Sequence, residues 1–263
     1  MKSYEEFFSG KKLYGEDLSD EEVKEWVKDE REAYSNLGGN NMESYGYHSL
    51  NSLHGYSKLK GKSFNKVLCF GGGNANEILP IINKVNEIFI VEPSKKYRAK
   101  ELKGKRLNYL KTSIYGDIVA RDNTFDLITC FGVLHHTPKV SYVLKEFKRV
   151  LKKEGYLLIR EPTVSMGDWR KTRKGITKRE RGIPLDVFDE MIKKENFEVI
   201  YKHRVMHPLS RKGFFIFSKP FGNSFVVKID SILSKIFSFN KKYHSTKFYH
   251  KLQPQSVFYV LKK

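Results

Sequence analysis

The stretch Asn65-Lys66-Val67-Leu68-Cys69-Phe70-Gly71-Gly72-Gly73-Asn74-Ala75-Asn76-Glu77 runs from a short apolar segment, Val67 to Phe70, through three consecutive glycines. A helical pattern then starts at Glu77-Ile78-Leu79. Strand, glycine turn and helix in that order let a backbone approach a nucleotide-like ligand closely, because a Cβ at the turn would collide with it. Twenty-one residues after Gly71, a second apolar run, Ile88-Phe89-Ile90-Val91, ends in Glu92. A carboxylate at the tip of the neighbouring parallel strand suits the two hydroxyls of a ribose. Three glycines alone would read equally well as a flexible turn, and Glu92 at this offset tips the reading towards a ligand turn. The dinucleotide fingerprint Gly-x-Gly-x-x-Gly needs a third glycine where Asn76 stands, which weakens a nicotinamide or flavin reading.

Farther on comes Phe125-Asp126-Leu127-Ile128-Thr129-Cys130-Phe131-Gly132-Val133-Leu134-His135-His136-Thr137-Pro138. A helical segment, Leu144 to Lys152, follows, then Gly155 and the strand Tyr156-Leu157-Leu158-Ile159-Arg160-Glu161. This order of motifs resembles the class I methyltransferases that use S-adenosylmethionine. The phrases Val-Leu-His-His-Thr-Pro and Arg-Val-Leu-Lys-Lys-Glu-Gly-Tyr-Leu-Leu-Ile resemble their small-molecule and sugar O-methyltransferase branch. The resemblance covers roughly residues 64 to 162.

With 263 residues the chain can hold one large domain, or one domain with a cap. Two cysteines, Cys69 and Cys130, each end an apolar strand-like run and read as buried free thiols of a reducing cytosol. The N-terminus has no signal-like apolar core and no apolar run reaches membrane-spanning length, so the expectation is a cytoplasmic protein. The formal charge of +19 is uneven. Residues 1 to 32 carry eleven acids against six bases, whereas after Glu198 the only acid is Asp230, against thirteen Lys and Arg. Such asymmetry fits an anionic partner (nucleic acid, membrane headgroups or a phosphorylated substrate), or else a lysine-rich solvated surface.

Residues 1 to 60 read as an N-terminal helical cap, and 61 to 263 as the main domain. Asp17-Leu18-Ser19-Asp20-Glu21-Glu22 offers a helix start with acids in the first turn, and Val23, Trp26 and Val27 share one face. Residues 64 to 162 alternate strand and helix: strands 66–70, 88–91, 107–110, 126–130 and 156–161, helices 76–84, 94–101 and 139–151. Alternation at this rhythm predicts a parallel sheet with helices on both faces and a crevice at the carboxyl ends of the strands. Pro184 to Lys194 reads as a helix and Phe197 to Val205 as a strand. Residues 206 to 253 form an aromatic, basic insertion with an amphipathic helix near 224–239, and Ser256 to Leu261 is the last strand. The resemblance implies a Rossmann-like α/β fold with a seven-stranded, mostly parallel sheet and an antiparallel last strand.

The resemblance further implies that Gly71, Gly72, Gly73, Glu92, Ser113, Ile114, Cys130 and Phe131 surround S-adenosylmethionine, which leaves as S-adenosylhomocysteine. Where the resembled enzymes commonly carry an acid two residues before the first glycine, this chain has Cys69, and Ile114 stands where an Asp is usual beside the adenine. Methyl transfer to oxygen requires a proton to be removed from the acceptor hydroxyl, and histidine suits that task near neutral pH. His135 and His136, with Glu161 on the following strand, are the catalytic candidates, although one histidine could simply pack or cap a helix. No metal-ligand spacing is visible. Tyr47, His48 and His54 in the cap are candidate acceptor contacts, set against ordinary packing. Seven bases in residues 170 to 181, among them Arg170, Arg179 and Arg181, point to an anionic acceptor such as a nucleotide-sugar or a surface-polysaccharide precursor, set against a solvated charged loop. An RNA methyltransferase and a non-catalytic scaffold of the same fold are the alternatives, and oligomerisation is left open.

Overall fold

The computed structural model of this chain describes residues 4–37, 45–169, 171–213 and 217–263. Eight strands form one sheet: β1 (Phe64–Phe70), β2 (Val85–Val91), β3 (Glu101–Leu102), β4 (Lys105–Leu110), β5 (Phe125–Phe131), β6 (Leu151–Pro162), β7 (Glu198–Val205) and β8 (Ser256–Lys262). Their order is β3-β4-β2-β1-β5-β6-β8-β7. Strands β4, β2, β1, β5 and β6 pair in parallel, and β8 runs antiparallel between β6 and β7. The seven expected strands are therefore present, with the last one inserted beside its predecessor. The eighth is β3, a two-residue edge strand that pairs antiparallel with β4 through a tight turn at Lys103-Gly104, whose φ values are 50° and 76°. A two-residue turn with both φ positive is the hairpin geometry, but Lys-Gly lacks the Asn-Gly or Asp-Gly signal that would have announced it.

Seven α-helices accompany the sheet among the described residues: α1 (Tyr4–Phe8), α2 (Asp20–Leu37), α3 (His48–His54), α4 (Val140–Val150), α5 (Leu185–Lys194), α6 (Pro208–Gly213) and α7 (Ser224–Ile236). Two expected helices differ. Residues Asn76–Lys84 form a 3-10 helix that contains Pro80, which supplies no backbone N–H. Of 94–101 only a 3-10 turn, Lys95–Tyr97, is present.

Side-chain alternation along the strands builds two apolar layers. Leu68, Phe70, Ile128, Cys130, Leu157 and Ile159 pack under α4 and α5. Val67, Cys69, Ile88, Ile90, Leu127 and Leu158 pack on the opposite face, with Leu50 of α3 and Val227 of α7. Cys69 and Cys130 thus point to opposite faces, and both are buried free thiols.

The segment read as one N-terminal cap is divided between a small cluster of its own around α2 and the second layer, which holds α3. Helix α2 starts with a capping box: Ser19 N donates to Glu22 Oε2 at 2.8 Å, and Glu22 N donates to Ser19 Oγ at 3.3 Å. Its Val23 and Trp26 are fully buried in a small cluster with Leu18, against which Tyr14, Ile114 and Tyr115 pack. Helix α3 lies on the other face, against α7 and the 3-10 helix Asn76–Lys84.

Candidate active site

A cavity of about 460 Å³ opens at the carboxyl ends of β1, β2, β4 and β5, lined by Gly71, Glu92, Ser113, Ile114, Gly132 and Val133 and, towards α2, by Val27, Glu30, His136 and Thr137. That size lies within the roughly 300–1,000 Å³ of small-molecule sites. The position where the strand order reverses, between β1 and β5, is where ligands of such sheets bind.

At the glycine turn, Gly71 has φ +70°, and a Cβ there would lie 2.4 Å from Val133 Cγ2. A side chain at Gly72 would lie 2.4 Å from Glu77 Oε1, so this glycine makes room for a buried carboxyl. Glu77 accepts from Thr129 Oγ1 at 3.3 Å, and burial raises its pKa to about 7. A carboxyl absent at Cys69 is thus delivered beneath the same turn from the far side of the glycines. Glu92 is buried and accepts from Gly73 N at 3.2 Å and Ser94 N at 2.9 Å, so its carboxylate is fixed at the cavity wall. Burial raises its pKa, and the two backbone donors oppose that shift. Cys130 and Phe131 are not among the cavity-lining residues: Cys130 is buried under α4, and Phe131 packs on Phe258 at 5.5 Å. Their successors Gly132 and Val133 form the wall instead.

Adjacent in sequence, His135 and His136 are placed in different environments. Glu161 is fully buried and gathers the loop, accepting from Val133 N at 2.8 Å, Leu134 N at 2.9 Å and His135 Nδ1 at 2.8 Å. His135 Nε2 lies 3.5 Å from Glu180 Oε1 on its other side. Burial works against a charge on His135, but the hydrogen bonds to Glu161 and Glu180 outweigh it and raise its pKa to about 9. His135 is therefore a protonated clamp at neutral pH. His136 has a pKa below the ordinary value, because of burial and then the charge of His135, with Glu30 opposing. Its Nδ1 lies 2.8 Å from Glu30 Oε2. Glu30 acts as an acceptor towards its other neighbours, and with Nδ1 donating to it as well the lone pair falls on Nε2.

Glu30 was not foreseen. It also accepts from Thr177 Oγ1 at 2.5 Å and Arg179 N at 2.8 Å. The one available signal was its place four residues after Trp26, on the same helix face as Val23 and Val27. Trp26 Nε1 donates to His136 O at 2.7 Å, so α2 is docked directly on the histidine loop.

The arginine loop is used differently from the sequence expectation. Arg181 is fully buried and donates to the carbonyls of Tyr14, Leu134 and Thr137 at 2.9, 3.0 and 2.9 Å. Arg179 is held by Asp29 at 2.7 Å and Glu25 at 3.0 Å. Neither lines the cavity: both fasten the acidic α2 segment to the domain, which also explains the opposite charges of the two stretches. Arg170 lies outside the described residues. The three cap candidates are likewise elsewhere, around α3. Tyr47 lies under Arg160 at 4.0 Å, His48 beside Tyr45 at 5.0 Å, and buried His54 bonds Tyr201 Oη at 2.8 Å and stacks on His203 at 4.9 Å. Their partners are packing partners, because α3 covers the opposite layer of the core.

His135, His136 and Glu180 bring one donor atom each to within 4.8 Å of one another, a grouping that could hold a metal ion and that sequence spacing did not reveal. An ion there would have to displace the proton that His135 Nε2 directs towards Glu180.

Residues 68–159 match the family model of a methyltransferase domain. No curated protein sequence matches the chain. Among solved structures, phosphoethanolamine N-methyltransferase 2 of Haemonchus contortus, in complex with phosphomonomethylethanolamine and S-adenosylhomocysteine, is similar. Its TM-score is 0.55 at 17% identity, over 94% of this chain and 60% of that one. An S-adenosylmethionine dependent methyltransferase from Mesorhizobium loti gives 0.54 at 11% identity, over 83% and 99%. The (4+2)-cyclase SpnF gives 0.52 at 12% identity, over 92% and 94%. At such identities the likeness shows the fold, and the cyclase illustrates that this fold alone does not name a reaction. The model that residues 68–159 match is that of a methyltransferase domain, and the cofactor is S-adenosylmethionine. The residues present fit that molecule, with a turn at Gly71 that admits no side chain and a fixed carboxylate, Glu92, facing the cavity.

Proposed function

We propose that this protein methylates a hydroxyl of a small-molecule acceptor such as a sugar, with His136 as the base and Glu30 as its positioning residue. The observation that carries this reading is the pairing of a cavity-lining imidazole, kept neutral by its surroundings, with a buried carboxylate on its far nitrogen. When bound, S-adenosylmethionine supplies an electrophilic methyl group. Gly71, Glu92, Ser113 and Ile114 would hold it, and His136 Nε2 would take the hydroxyl proton. Glu161 and His135 act one step removed, by fixing the loop that carries His136. An acceptor recognised through Arg179 and Arg181 is not part of this proposal, because both guanidinium groups are occupied. A second reading, an amine acceptor, is favoured by the two carboxylates Glu30 and Glu180 near the same histidine.

Incubation with methyl-labelled S-adenosylmethionine and a panel of sugars, polyols and amines separates the two. Label on oxygen, lost in His136→Gln, supports the proposal. Label on nitrogen, or oxygen methylation undiminished in His136→Gln, overturns it.

A further inference from the structure

The insertion between β7 and β8 carries an apolar surface that the methyl-transfer site does not use. Helix α7 buries Val226, Val227, Asp230 and Ser234 against the domain, and exposes Phe225, Ile232 and Ile236 at 61%, 61% and 58%. These three are seven and four residues apart, so at 3.6 residues per turn they fall within about 40° of one line along the helix. Lys228 and Lys235, also exposed, lie about 60–80° to one side of that line. Phe239, exposed at 77%, follows the helix end. The Asn240 side chain donates to the Tyr249 carbonyl at 2.8 Å and ties in a further segment whose Phe248 and Tyr249 are 77% and 57% exposed.

Charge on this insertion is one-sided. Residues 206 to 253 contain nine Lys and Arg and a single acid, Asp230. That acid is turned inward, accepting from Met206 N at 2.8 Å and His207 N at 2.7 Å. What the insertion presents to solvent is therefore large apolar side chains set among lysines.

We infer that this face is a docking surface for a bilayer rich in anionic phospholipid, with the Phe225–Ile232–Ile236 line entering the headgroup and acyl boundary and the lysines on the lipid phosphates. An amphipathic helix lying in the interface plane has this composition, and basic residues near an anionic leaflet add attraction. Two other occupants fit less well. A second copy of the chain placed face to face would set these lysines against their own kind. A nucleic acid would match the lysines and could stack on Phe225 or Phe239, but it offers no apolar phase to Ile232 and Ile236. No helix among the described residues is long and apolar enough to cross a membrane, so the contact is peripheral.

The test is co-sedimentation of the full chain with vesicles of phosphatidylcholine alone or mixed with phosphatidylglycerol, for wild type and two variants. One variant carries Phe225→Ser, Ile232→Ser and Ile236→Ser, and the other Lys228→Glu and Lys235→Glu. All five positions are exposed, and circular dichroism checks that the fold is kept. The expected result is binding that needs phosphatidylglycerol and weakens about tenfold or more in each variant. Three outcomes overturn the inference. Failure to bind phosphatidylglycerol vesicles at low salt would do so directly. Binding that both variants retain would assign the attraction to the overall positive charge. A solution dimer abolished by the serine variant, with no vesicle binding, would give the face to a second copy.

Discussion

Glu30 and His136 stand 106 residues apart in the chain, yet the Glu30 Oε2 lies 2.8 Å from the His136 Nδ1. The pair joins a helix of the N-terminal segment to the loop after β5, so both hold the imidazole on the cavity wall.

If His136 is the base, His136→Gln should lower turnover by about 10²–10⁴-fold and leave S-adenosylmethionine affinity nearly unchanged. Single-turnover methyl transfer together with calorimetric binding checks this. Comparable loss in His135→Gln with an intact fold would move the role to its neighbour.

The pH profile distinguishes positioning from mere packing. A base must be neutral, so the rate should hold at pH 7 and fall only at lower pH, beneath the ordinary value of about 6.5, because His136 is shifted down. Glu30 opposes that shift. Glu30→Gln should therefore lower the plateau and move the acidic limb to still lower pH. A limb that moves upward or stays in place would count against the pairing.

His135 predicts the opposite kind of pH dependence, in stability. Its folded pKa is raised to about 9 from an unfolded value near 6.5, so the folded state holds the proton more tightly. The stabilisation is fully present below about pH 6.5 and is lost as pH rises through about 9, a difference of a few kcal/mol. Urea unfolding from pH 6 to 9.5 should show wild type losing this increment and His135→Gln lacking it. Equal slopes in the two proteins would show that the clamp carries no net proton.

For the cofactor, Gly71→Val places a side chain on a backbone at φ +70° and against Val133, and should abolish S-adenosylmethionine binding. Glu92→Ala should weaken it by about 1.5–3 kcal/mol, the worth of hydrogen bonds to a charged group. Calorimetry reads both, and unchanged affinity in Gly71→Val would remove the cofactor from this crevice.

Arg181 should behave as a structural residue. Replacing it by Met takes the guanidinium donor from the Tyr14, Leu134 and Thr137 carbonyls, of which Leu134 O keeps the backbone N–H of Thr137. The change should lower the unfolding midpoint, by about 1–3 kcal/mol of stability for each oxygen left buried and unsatisfied. Arg179→Ala should loosen α2 by less, because its partner Glu25 is largely exposed. A raised acceptor KM with stability unchanged in both variants would restore the anionic-acceptor expectation.

By itself the sequence determined the sheet, the crevice and the cofactor turn. Each rests on local signals: apolar runs of strand length, glycines where the chain must turn sharply, and Glu92 at the end of the adjoining strand. Those signals work because strand and helix periodicities are properties of neighbouring residues. Only the tertiary structure gives His135 and His136 different surroundings. Two imidazoles side by side have the same intrinsic chemistry, and they differ here through Glu161, Glu180 and Glu30, drawn from three separate parts of the chain. The same holds for the arginines at 179 and 181. A run of basic residues reads as a binding loop until the groups that occupy it are located. The acids and the Tyr14 carbonyl lie more than a hundred residues earlier, in a segment whose own sequence shows only a helix start and a buried face, and the Leu134 and Thr137 carbonyls lie in the histidine loop.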